Sequence, residues 1–477
     1  MRCGTVFAKP LQGSLTMKQN LRAFIDEQRV QDDHRPIASR LQDFQAVELP
    51  LTDAQLHTQA ERCMNCGIPF CQGCGCPLKN EIPDINAAAF RGDWRTAWAI
   101  LSRTSSFPEF TSRICPALCE GSCTSGLARE AVMVRQIEKT VTDKAFSLGL
   151  VMPPTPATER GAKVAVIGAG PAGMATAAAL RKKGYAVTVF EKSKNIGGLL
   201  RYGIPYFKFD KVLIDRRRNL LERAGIEFKC GAEIGVDISG AYLQKNFDAV
   251  VVCIGTPVPR NCNIPGRELQ GIHFALEFLG GQNRFLGKEQ SANPIDTRGK
   301  RVLVIGGGDT GADCVGTSNR QGAASVTQIE IMPCPPEKRD ERSTPWPLWP
   351  YQLRTSTSHE EGCERRWNLN SLAFLGHNGS LTGVRVQQVK WSFTPEGRPA
   401  KFEPVPNSEE EIPCDICFLA MGFLRNDRIA MLKSLGLEDS PSLFFAGDAA
   451  SGASLVVRAI ASGRATADAV DNALSAP

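Results

Sequence analysis

The sequence has little of what membrane, secreted and nucleic-acid-binding proteins require. No segment reaches the roughly 18 consecutive apolar residues of a membrane span. Residues 1–19 lack the apolar core of a secretory signal peptide. The formal charge of +6 is small for 477 residues, and no basic stripe is interleaved with aromatic residues. We therefore expect a cytoplasmic protein, with organelle targeting left open, that binds neither membranes nor nucleic acids.

Histidine is also scarce, with 5 residues, whereas cysteine is abundant, with 17. In a reducing compartment, cysteines serve metal or redox chemistry rather than disulfides. Eight of them form two groups, which read Cys63-x2-Cys66-x4-Cys71-x2-Cys74-x-Cys76 and Cys115-x3-Cys119-x3-Cys123.

The spacing of these cysteines favours iron–sulfur clusters over zinc. Each 4Fe–4S cube needs four ligands, usually thiolates. Closely spaced cysteines in a loop reach adjacent irons, and a distant cysteine commonly completes the set. Structural zinc sites prefer paired cysteine knuckles, often with histidine, but only His57 lies nearby and the x4 and x3 gaps fit knuckles poorly. Eight cysteines can supply two clusters, with zinc or inert thiols as the alternatives.

Residues 163–173, KVAVIGAGPAG, have the order of a dinucleotide-binding strand, turn and helix. Gly168 permits the tight turn, Gly170 lets the backbone approach a pyrophosphate, and Gly173 allows close packing of helix and strand. A second strand ends in Glu191, placed to bind ribose hydroxyls. A further turn that contains two glycines, NIGGLL at residues 195–200, follows. The residues predicted to bind this dinucleotide are Gly168, Gly170, Pro171, Ala172, Gly173, Glu191, Gly198 and Leu199.

The C-terminal segment LFFAGD identifies the first dinucleotide as FAD. In flavoproteins with two dinucleotide sites, an aspartate such as Asp448 typically binds the ribityl chain, and the following helix faces the flavin. The alternative for Asp448 is a plain turn residue. The predicted FAD residues of this segment are Gly447, Asp448, Leu455 and Val456.

A second glycine-rich unit, RVLVIGGGDTGAD at residues 301–313, predicts a site for the diffusible nicotinamide dinucleotide. Asp309 and Thr310 bind the dinucleotide or cap the helix. Glu330 favours the free 2′-hydroxyl of NADH, whereas Lys338 and Arg339 are placed to reach the 2′-phosphate of NADPH, so the preference stays open. The predicted residues are Gly306, Gly307, Gly308, Asp309, Thr310, Gly311 and Glu330.

The order of these motifs resembles the small (beta) subunit of glutamate synthase and the homologous N-terminal half of dihydropyrimidine dehydrogenase. The resemblance runs from Arg62 to Ala473 and rests on CMNCGIPFCQGCGCPLKNEIPD, FPEFTSRICPALCEGSC, VAVIGAGPAG, GGLLRYGIPYFKF, VLVIGGGDTGADC, MPCPPE with PWPLWP, and LFFAGD with SLVVRAI. It implies hydride transfer from NADH or NADPH to FAD, and single electrons passed through two 4Fe–4S clusters. The implied partner is a large (alpha) subunit that forms glutamate from glutamine and 2-oxoglutarate. The alternative is a differently partnered oxidoreductase serving ferredoxin or another reductase.

The resemblance also implies roles for single residues. One cluster takes Cys63, Cys66, Cys71 and Cys123, and the other takes Cys76, Cys115, Cys119 and an oxygen of Glu138, with Cys74 as a competitor for that last position. Lys208 matches a catalytic basic residue near the flavin ring, where a cation stabilises the anionic reduced flavin. Three positions depart from the family pattern: Ala450 and Ser451 stand where many relatives carry arginines, and Arg458 replaces a common tryptophan.

We therefore predict an α/β protein with an N-terminal helical iron–sulfur domain and two interleaved Rossmann-like domains. The helical domain occupies residues 1–155, the FAD domain residues 160–290 and 425–477, and the NAD(P)H domain residues 291–424. Within the helical domain, apolar spacing predicts one helix over residues 85–102, with Asp84 as its N-cap.

Overall fold

The computed structural model describes residues 19–475, so the interpretation of residues 1–18 lies outside it. The chain begins with a helical domain that holds all eight clustered cysteines. A π-helical turn spans Cys71–Gly75, and a 3-10 turn spans Thr124–Leu127. The helices are α1 (Ala23–Asp26), α2 (Ile37–Arg40), α3 (Asp53–Glu61), α4 (Ile82–Phe90), α5 (Trp94–Thr104), α6 (Pro108–Ile114), α7 (Leu118–Gly121) and α8 (Val134–Ser147).

The single helix predicted over residues 85–102 is wrong, because two helices occupy this stretch. Asp84 lies inside the first turn of α4 and is not its cap. Gly92 adopts a left-handed φ of 67° just beyond α4, a conformation that ends a helix at little cost only for glycine. Asp93 then caps α5 by accepting a hydrogen bond from the backbone N–H of Thr96 at 3.0 Å.

Two parallel sheets follow the helical domain. Their inner strands are short and mostly buried runs rich in aliphatic residues, as expected for sheets covered on both faces, whereas the edge strands are more polar. The elements are β1 (Lys163–Ile167), α9 (Pro171–Lys182), β2 (Ala186–Glu191), α10 (Leu199–Tyr202), α11 (Val212–Arg223), β3 (Glu227–Cys230), α12 (Gly240–Asn246), β4 (Ala249–Val252), β5 (Ile272–Phe274), α13 (Ala275–Leu286), β6 (Arg301–Ile305), α14 (Asp309–Gln321), β7 (Ser325–Ile329), α15 (Thr357–Glu360), β8 (Glu364–Arg366), β9 (Leu369–His377), β10 (Ser380–Phe393), β11 (Pro399–Pro413), β12 (Ile416–Leu419), α16 (Arg428–Leu435), β13 (Leu443–Phe445), α17 (Asp448–Ser451) and α18 (Val456–Ser475).

The two sheets are interleaved in the chain. The first sheet has the order β13-β4-β1-β2-β3 and the second β5-β12-β6-β7-β8, while β9, β10 and β11 form an antiparallel sheet of their own. Strand β13 returns to pair with β4 after the second sheet is complete. This arrangement confirms the predicted α/β class with two interleaved units. Because β5 pairs with β12, the second sheet begins upstream of residue 291, where the predicted boundary lay.

The helical domain shares its core with the first sheet. Phe110 of α6 packs edge-on against Phe209, with ring centroids 5.6 Å apart. One cluster of contacting buried apolar side chains includes residues of both parts, from Leu56 of α3 to Val470 of α18. Such continuity fixes the cysteine loops relative to the first glycine turn. Within residues 19–475, no helix combines the length and apolarity needed to cross a membrane.

Candidate functional site

Four cysteines line one cavity in the helical domain, which we call the first cysteine cavity. Cys63 follows α3, Cys71 opens the π-helical turn, and Cys123 precedes the 3-10 turn. With Cys66 they surround the cavity, together with Asn86 of α4. Burial raises the pKa of the Cys63 thiol and raises that of Cys71 to about 12. Burial therefore favours the protonated form of the Cys63 and Cys71 thiols, and metal binding must displace their protons.

A second cysteine cavity lies between the first cysteine loop, α6, α7 and α8. Cys76, Cys115, Cys119 and Glu138 line it, together with Thr111 and Val457. Burial raises the pKa of Cys76 to about 12 and that of Cys119 well above its ordinary value.

Gly75 allows the first cysteine loop to approach α7. A Cβ at this position would stand 2.6 Å from the Cα of Cys119, which is too short for a contact between two non-bonded carbon atoms. The glycine between Cys74 and Cys76 is therefore required by packing. The loop brings Cys76 to the second cavity and leaves Cys74 exposed, outside the lining of both cavities.

Glu138 faces the second cavity with a fixed orientation. Its Oε1 accepts a hydrogen bond from Asn80 Nδ2 at 2.8 Å, and Asn80 Oδ1 accepts one from the Thr104 hydroxyl at 2.8 Å. Burial raises the pKa of Glu138 to about 7. The cavity thus offers three sulfur donors and a carboxylate, and the structure brings Glu138, not Cys74, to the three cysteines.

Both cavities fit a 4Fe–4S cube. In the part of the chain that the structure describes, no three Cys, His, Asp or Glu side chains converge on the point that a single ion would occupy. A cube carries its irons on separate corners, so its ligands stand around a cavity instead. Each cavity also contains a buried polar side chain without a hydrogen-bond partner, Asn86 in the first and Thr111 in the second. Cluster sulfides are acceptors for such groups.

The three segments predicted to bind FAD meet at the start of α9. Gly170 is the N-cap of α9 and no side chain caps this end, so the first helical N–H groups are free for a pyrophosphate. A Cβ at Gly198 would stand 2.9 Å from the Cα of Gly170, and a Cβ at Gly447 would stand 2.5 Å from the Cβ of Ala172. The glycines therefore allow three chain segments to come together around one helix N-terminus that no side chain caps.

The second glycine turn repeats this geometry. Gly308 is the N-cap of α14, with φ −82° and ψ −177°, close to the −74° and −177° of Gly170. Gly306 has a φ of 121°, and a Cβ there would stand 2.3 Å from the carbonyl oxygen of Ala420. Asp309 and Thr310 do not cap the helix, because they are its first two residues and no side-chain cap bond forms. The capping alternative is therefore wrong.

The acid that follows each turn braces the backbone. Glu191 accepts from the N–H groups of Ala169 at 2.8 Å and Ser193 at 2.9 Å. Glu330 likewise accepts from Gly307 at 2.7 Å and Met332 at 3.0 Å. The sequence motif predicted ribose contacts for both acids. The structure adds a support role that the spacing alone did not reveal.

Asp448 begins the short helix α17, and not the long C-terminal helix. Its carboxylate accepts a hydrogen bond from the Ser454 hydroxyl at 2.6 Å, and burial raises its pKa. Leu455 and Val456 then lead into α18. The next residue, Val457, lines the second cysteine cavity. The predicted flavin-binding segment therefore adjoins that cavity, a contact that no sequence pattern indicated.

The basic residues predicted near the flavin (Lys208) and near the nicotinamide dinucleotide (Lys338 and Arg339) have different surroundings. Lys208 forms an ion pair with Asp313 of α14, with Nζ and Oδ1 2.5 Å apart, and so links the first unit to the second. Arg339 donates to the carbonyl oxygens of Leu348 at 2.6 Å and Gly121 at 2.7 Å, which ties its loop to the helical domain. These carbonyl contacts leave Lys338 as the freer candidate for a 2′-phosphate.

Some residues of the sites were missed by the sequence motifs. Asn80, Asn86 and Thr111 are ordinary polar residues between the predicted cysteine ligands, and their burial is the feature that reveals them. Thr104, which is half-buried and donates to Asn80, was missed as well. The available sequence signal was their position within the cysteine-rich segment, which does not distinguish a buried amide from an exposed one.

Comparison with known proteins agrees with this arrangement. Residues 40–150 match the family model of dihydropyrimidine dehydrogenase domain II, 4Fe-4S cluster, and residues 162–344 match that of pyridine nucleotide-disulphide oxidoreductase. The oxidoreductase FprA of Mycobacterium tuberculosis, solved with NADPH, shares the fold with a TM-score of 0.53. That match covers 66% of this chain and 85% of FprA at 18% identity.

Curated relatives cover nearly the whole chain. The NADPH glutamate synthase small chain of Mycobacterium tuberculosis is 46% identical over 460 residues, which are 92% of this chain and 93% of the relative. The Bacillus subtilis small chain is 37% identical over 94% of this chain and 97% of its own length. The NADH glutamate synthase of Saccharomyces cerevisiae is 39% identical over 98% of this chain, which corresponds to 23% of that longer protein. The chain belongs to the glutamate synthase small-chain family of iron–sulfur and pyridine-nucleotide oxidoreductases.

Proposed function

We propose that this protein is the electron-input subunit of a glutamate synthase. In this proposal NADH or NADPH binds at the second glycine turn, FAD at the first, and one 4Fe–4S cluster in each cysteine cavity. When bound, FAD accepts hydride as an electron pair, and the clusters accept single electrons. The large subunit then uses the electrons to form glutamate from glutamine and 2-oxoglutarate.

The single observation that carries the proposal is the position of Val457. This residue lines the second cysteine cavity, and it lies on the same segment as Asp448, Leu455 and Val456, the predicted flavin contacts. A cluster in that cavity would therefore lie beside the flavin. We infer that Cys76, Cys115, Cys119 and Glu138 would hold the cluster nearer the flavin, and that Cys63, Cys66, Cys71 and Cys123 would hold the one farther from it.

Residues of the chain have separate tasks in this scheme. Unbonded N–H groups at the starts of α9 and α14 hold the two pyrophosphates. Lys208 supplies positive charge between the two units, beside the helix that carries the second glycine turn. Glu138 and seven cysteines hold the clusters away from bulk water, in cavities closed by apolar residues.

In this proposal, electrons leave the protein at the first cysteine cavity. Three large apolar side chains on its loops are exposed, Met64, Ile68 and Leu127, and the exposed fraction of Ile68 is 77%. Short-range electron transfer requires a partner to cover this face closely. The proposed partner is the large subunit.

A second candidate function keeps the same electron path with a different partner. Ala450, Ser451 and Arg458, the three departures from the family pattern, are all exposed. The changes therefore fall on the surface next to the predicted flavin segment, where they alter what can dock. In this candidate the recipient is ferredoxin or another reductase.

Reconstitution tests both candidates. The chain is loaded anaerobically with iron, sulfide and FAD, then supplied with NADH or NADPH, and reduction of an artificial acceptor is recorded with and without the large subunit. Glutamate formed from glutamine and 2-oxoglutarate only when both chains are present supports the proposal. Acceptor reduction without any glutamate in the mixture overturns it in favour of the second candidate.

A further inference from the structure

A buried glutamine lies directly beneath the second glycine turn. Gln328 of β7 donates from Nε2 to the carbonyl oxygen of Gly306 at 2.8 Å. A Cβ on Gly311 would stand 2.5 Å from the same nitrogen. The amide therefore fills the space between the first and third glycines of the turn, and gives the Gly306 carbonyl a partner away from water.

His359 fixes the direction in which this amide points. The backbone N–H of Ser356 donates to His359 Nδ1 at 3.2 Å, so Nδ1 is the acceptor and the ring proton lies on Nε2. Nε2 is 2.8 Å from Gln328 Oε1 and donates to it. The Gln328 amino group is therefore directed to Gly306. Burial lowers the pKa of His359 to about 4, which keeps the ring in the neutral form that this chain of hydrogen bonds needs.

The turn that carries His359 is itself anchored by two buried arginines. Arg40, the last residue of α2, donates to Glu360 at 2.9 Å, and its Nε is 3.1 Å from Glu361. Arg320 of α14 donates to Glu361 at 2.9 Å. These ion pairs hold α15 against α2 and α14, so the position of His359 is set by α2 and by α14, the helix whose N-terminus forms the predicted nicotinamide site.

The first glycine turn has no such support. Val189 occupies the matching position, two residues before Glu191, as Gln328 does before Glu330. A permanently bound FAD stabilises its own turn. A nicotinamide dinucleotide leaves at every turnover, and the empty turn must then keep its shape without a ligand.

We propose that Gln328, oriented by His359, is a positioning residue that keeps the Gly306 turn in its binding shape while the nicotinamide site is empty. The inference rests on the proposed function, in which this turn binds NADH or NADPH. It predicts an effect on dinucleotide affinity and on KM, with little effect on kcat, because the amide contacts the turn and not the reacting atoms.

The test uses the holoprotein with Gln328→Leu, His359→Ala, both together, and His359→Gln. The matched control is Gln321→Leu, because Gln321 makes comparable hydrogen bonds, to Gln282 at 2.7 Å and from Thr297 at 2.8 Å, at the opposite end of α14. The dissociation constants of NADH and NADPH, KM, kcat and FAD content are measured for each variant.

We expect Gln328→Leu and His359→Ala to raise KM and the dissociation constant about tenfold, since the Gly306 carbonyl loses a buried donor or its alignment. Values of kcat and FAD content should stay within about twofold. The double variant should bind the dinucleotides no more weakly than Gln328→Leu alone, because the two residues act through one hydrogen bond. His359→Gln, which keeps an N–H donor, should restore most of the affinity, and Gln321→Leu should match the wild type.

Two results would overturn the inference and leave the proposed function intact. One is equal dinucleotide affinity in Gln328→Leu and Gln321→Leu. The other is a double variant whose dissociation constant rises by the product of the two single effects. Should Gln328→Leu fail to fold, the half-buried His359 carries the test through its alanine and glutamine variants. A wild-type protein that binds neither nucleotide would overturn the proposed function itself, and this inference with it.

Discussion

Glu109 of α6 and Arg217 of α11 form a two-pronged ion pair, with Oε1 to Nε at 2.6 Å and Oε2 to a terminal guanidinium nitrogen at 2.9 Å. Both side chains are buried. The pair joins the helical domain to the first sheet unit, and so fixes the cysteine cavities relative to the predicted flavin site.

Removing one partner should cost far more stability than removing both. Glu109→Ala leaves the Arg217 guanidinium buried without its anion, and we expect a loss of about 3–5 kcal/mol in the free energy of unfolding. The double variant Glu109→Leu with Arg217→Met should lose much less. Denaturant unfolding of the two proteins measures this difference, and equal losses would show that the pair is not desolvated as described.

Cys74 and Glu138 can be separated by counting iron. Cys74→Ser should leave iron and acid-labile sulfide at the wild-type level, because Cys74 is exposed and outside both cavities. Glu138→Ala should remove or alter one cluster, a change of up to about four irons per chain, with a changed electron paramagnetic resonance spectrum. Iron loss in Cys74→Ser with normal iron in Glu138→Ala would reverse the assignment.

Gly75→Ala should disrupt the second cysteine cavity. The added Cβ would meet the Cα of Cys119 at 2.6 Å, so the loop must move away from α7 and carry Cys76 with it. Gly73→Ala is the matched control, since a Cβ there meets nothing within 4 Å. We expect iron loss only in the Gly75 variant, and equal iron contents would contradict the packing argument.

The two N-cap glycines should report on different dinucleotides. A Cβ at Gly308 meets nothing within 4 Å, and one at Gly170 only approaches the Cα of Gly198 at 3.9 Å, so both alanine variants should fold. Gly170→Ala should release FAD, whereas Gly308→Ala should keep FAD and raise KM for NADH or NADPH about tenfold or more, because the Cβ occupies space that a pyrophosphate needs. Absorbance at flavin wavelengths and steady-state kinetics distinguish the two, and FAD loss in the Gly308 variant would exchange the assignments.

Acid should weaken the fold partly through His359. Its pKa is lowered from the ordinary 6.5 to about 4 by burial, then by Arg365 and Lys208. As pH falls through 6.5 the unfolded chain takes up a proton that the folded chain does not accept until about pH 4, so stability declines over this window. The Tm of His359→Gln should therefore fall less between pH 7 and pH 5 than the Tm of the wild type. Parallel pH profiles for the two proteins would contradict this.

Local spacing was enough to predict the strands beside the glycine turns and the strand before Asp448, because each depends on residues close together in the chain. The antiparallel sheet of β9, β10 and β11 was not predicted. The division of residues 85–102 into two helices was missed because apolar periodicity continues through Gly92 and Asp93, and only the left-handed φ of Gly92 interrupts it. The contacts of Val457, Thr111 and Gln328 depend on elements brought together by the fold. No pattern within a short window contains that information.

The place of Val457 in the wall of the second cysteine cavity also sets an order for biosynthesis. Seven of the eight predicted ligands are synthesised before residue 124, and Glu138 follows soon after. The second cavity, with Cys76, Cys115, Cys119 and Glu138, gains this part of its wall only with α18, the last helix within residues 19–475, and β13 completes the first sheet only just before it. Closure of this cavity must therefore wait until α18 has been synthesised.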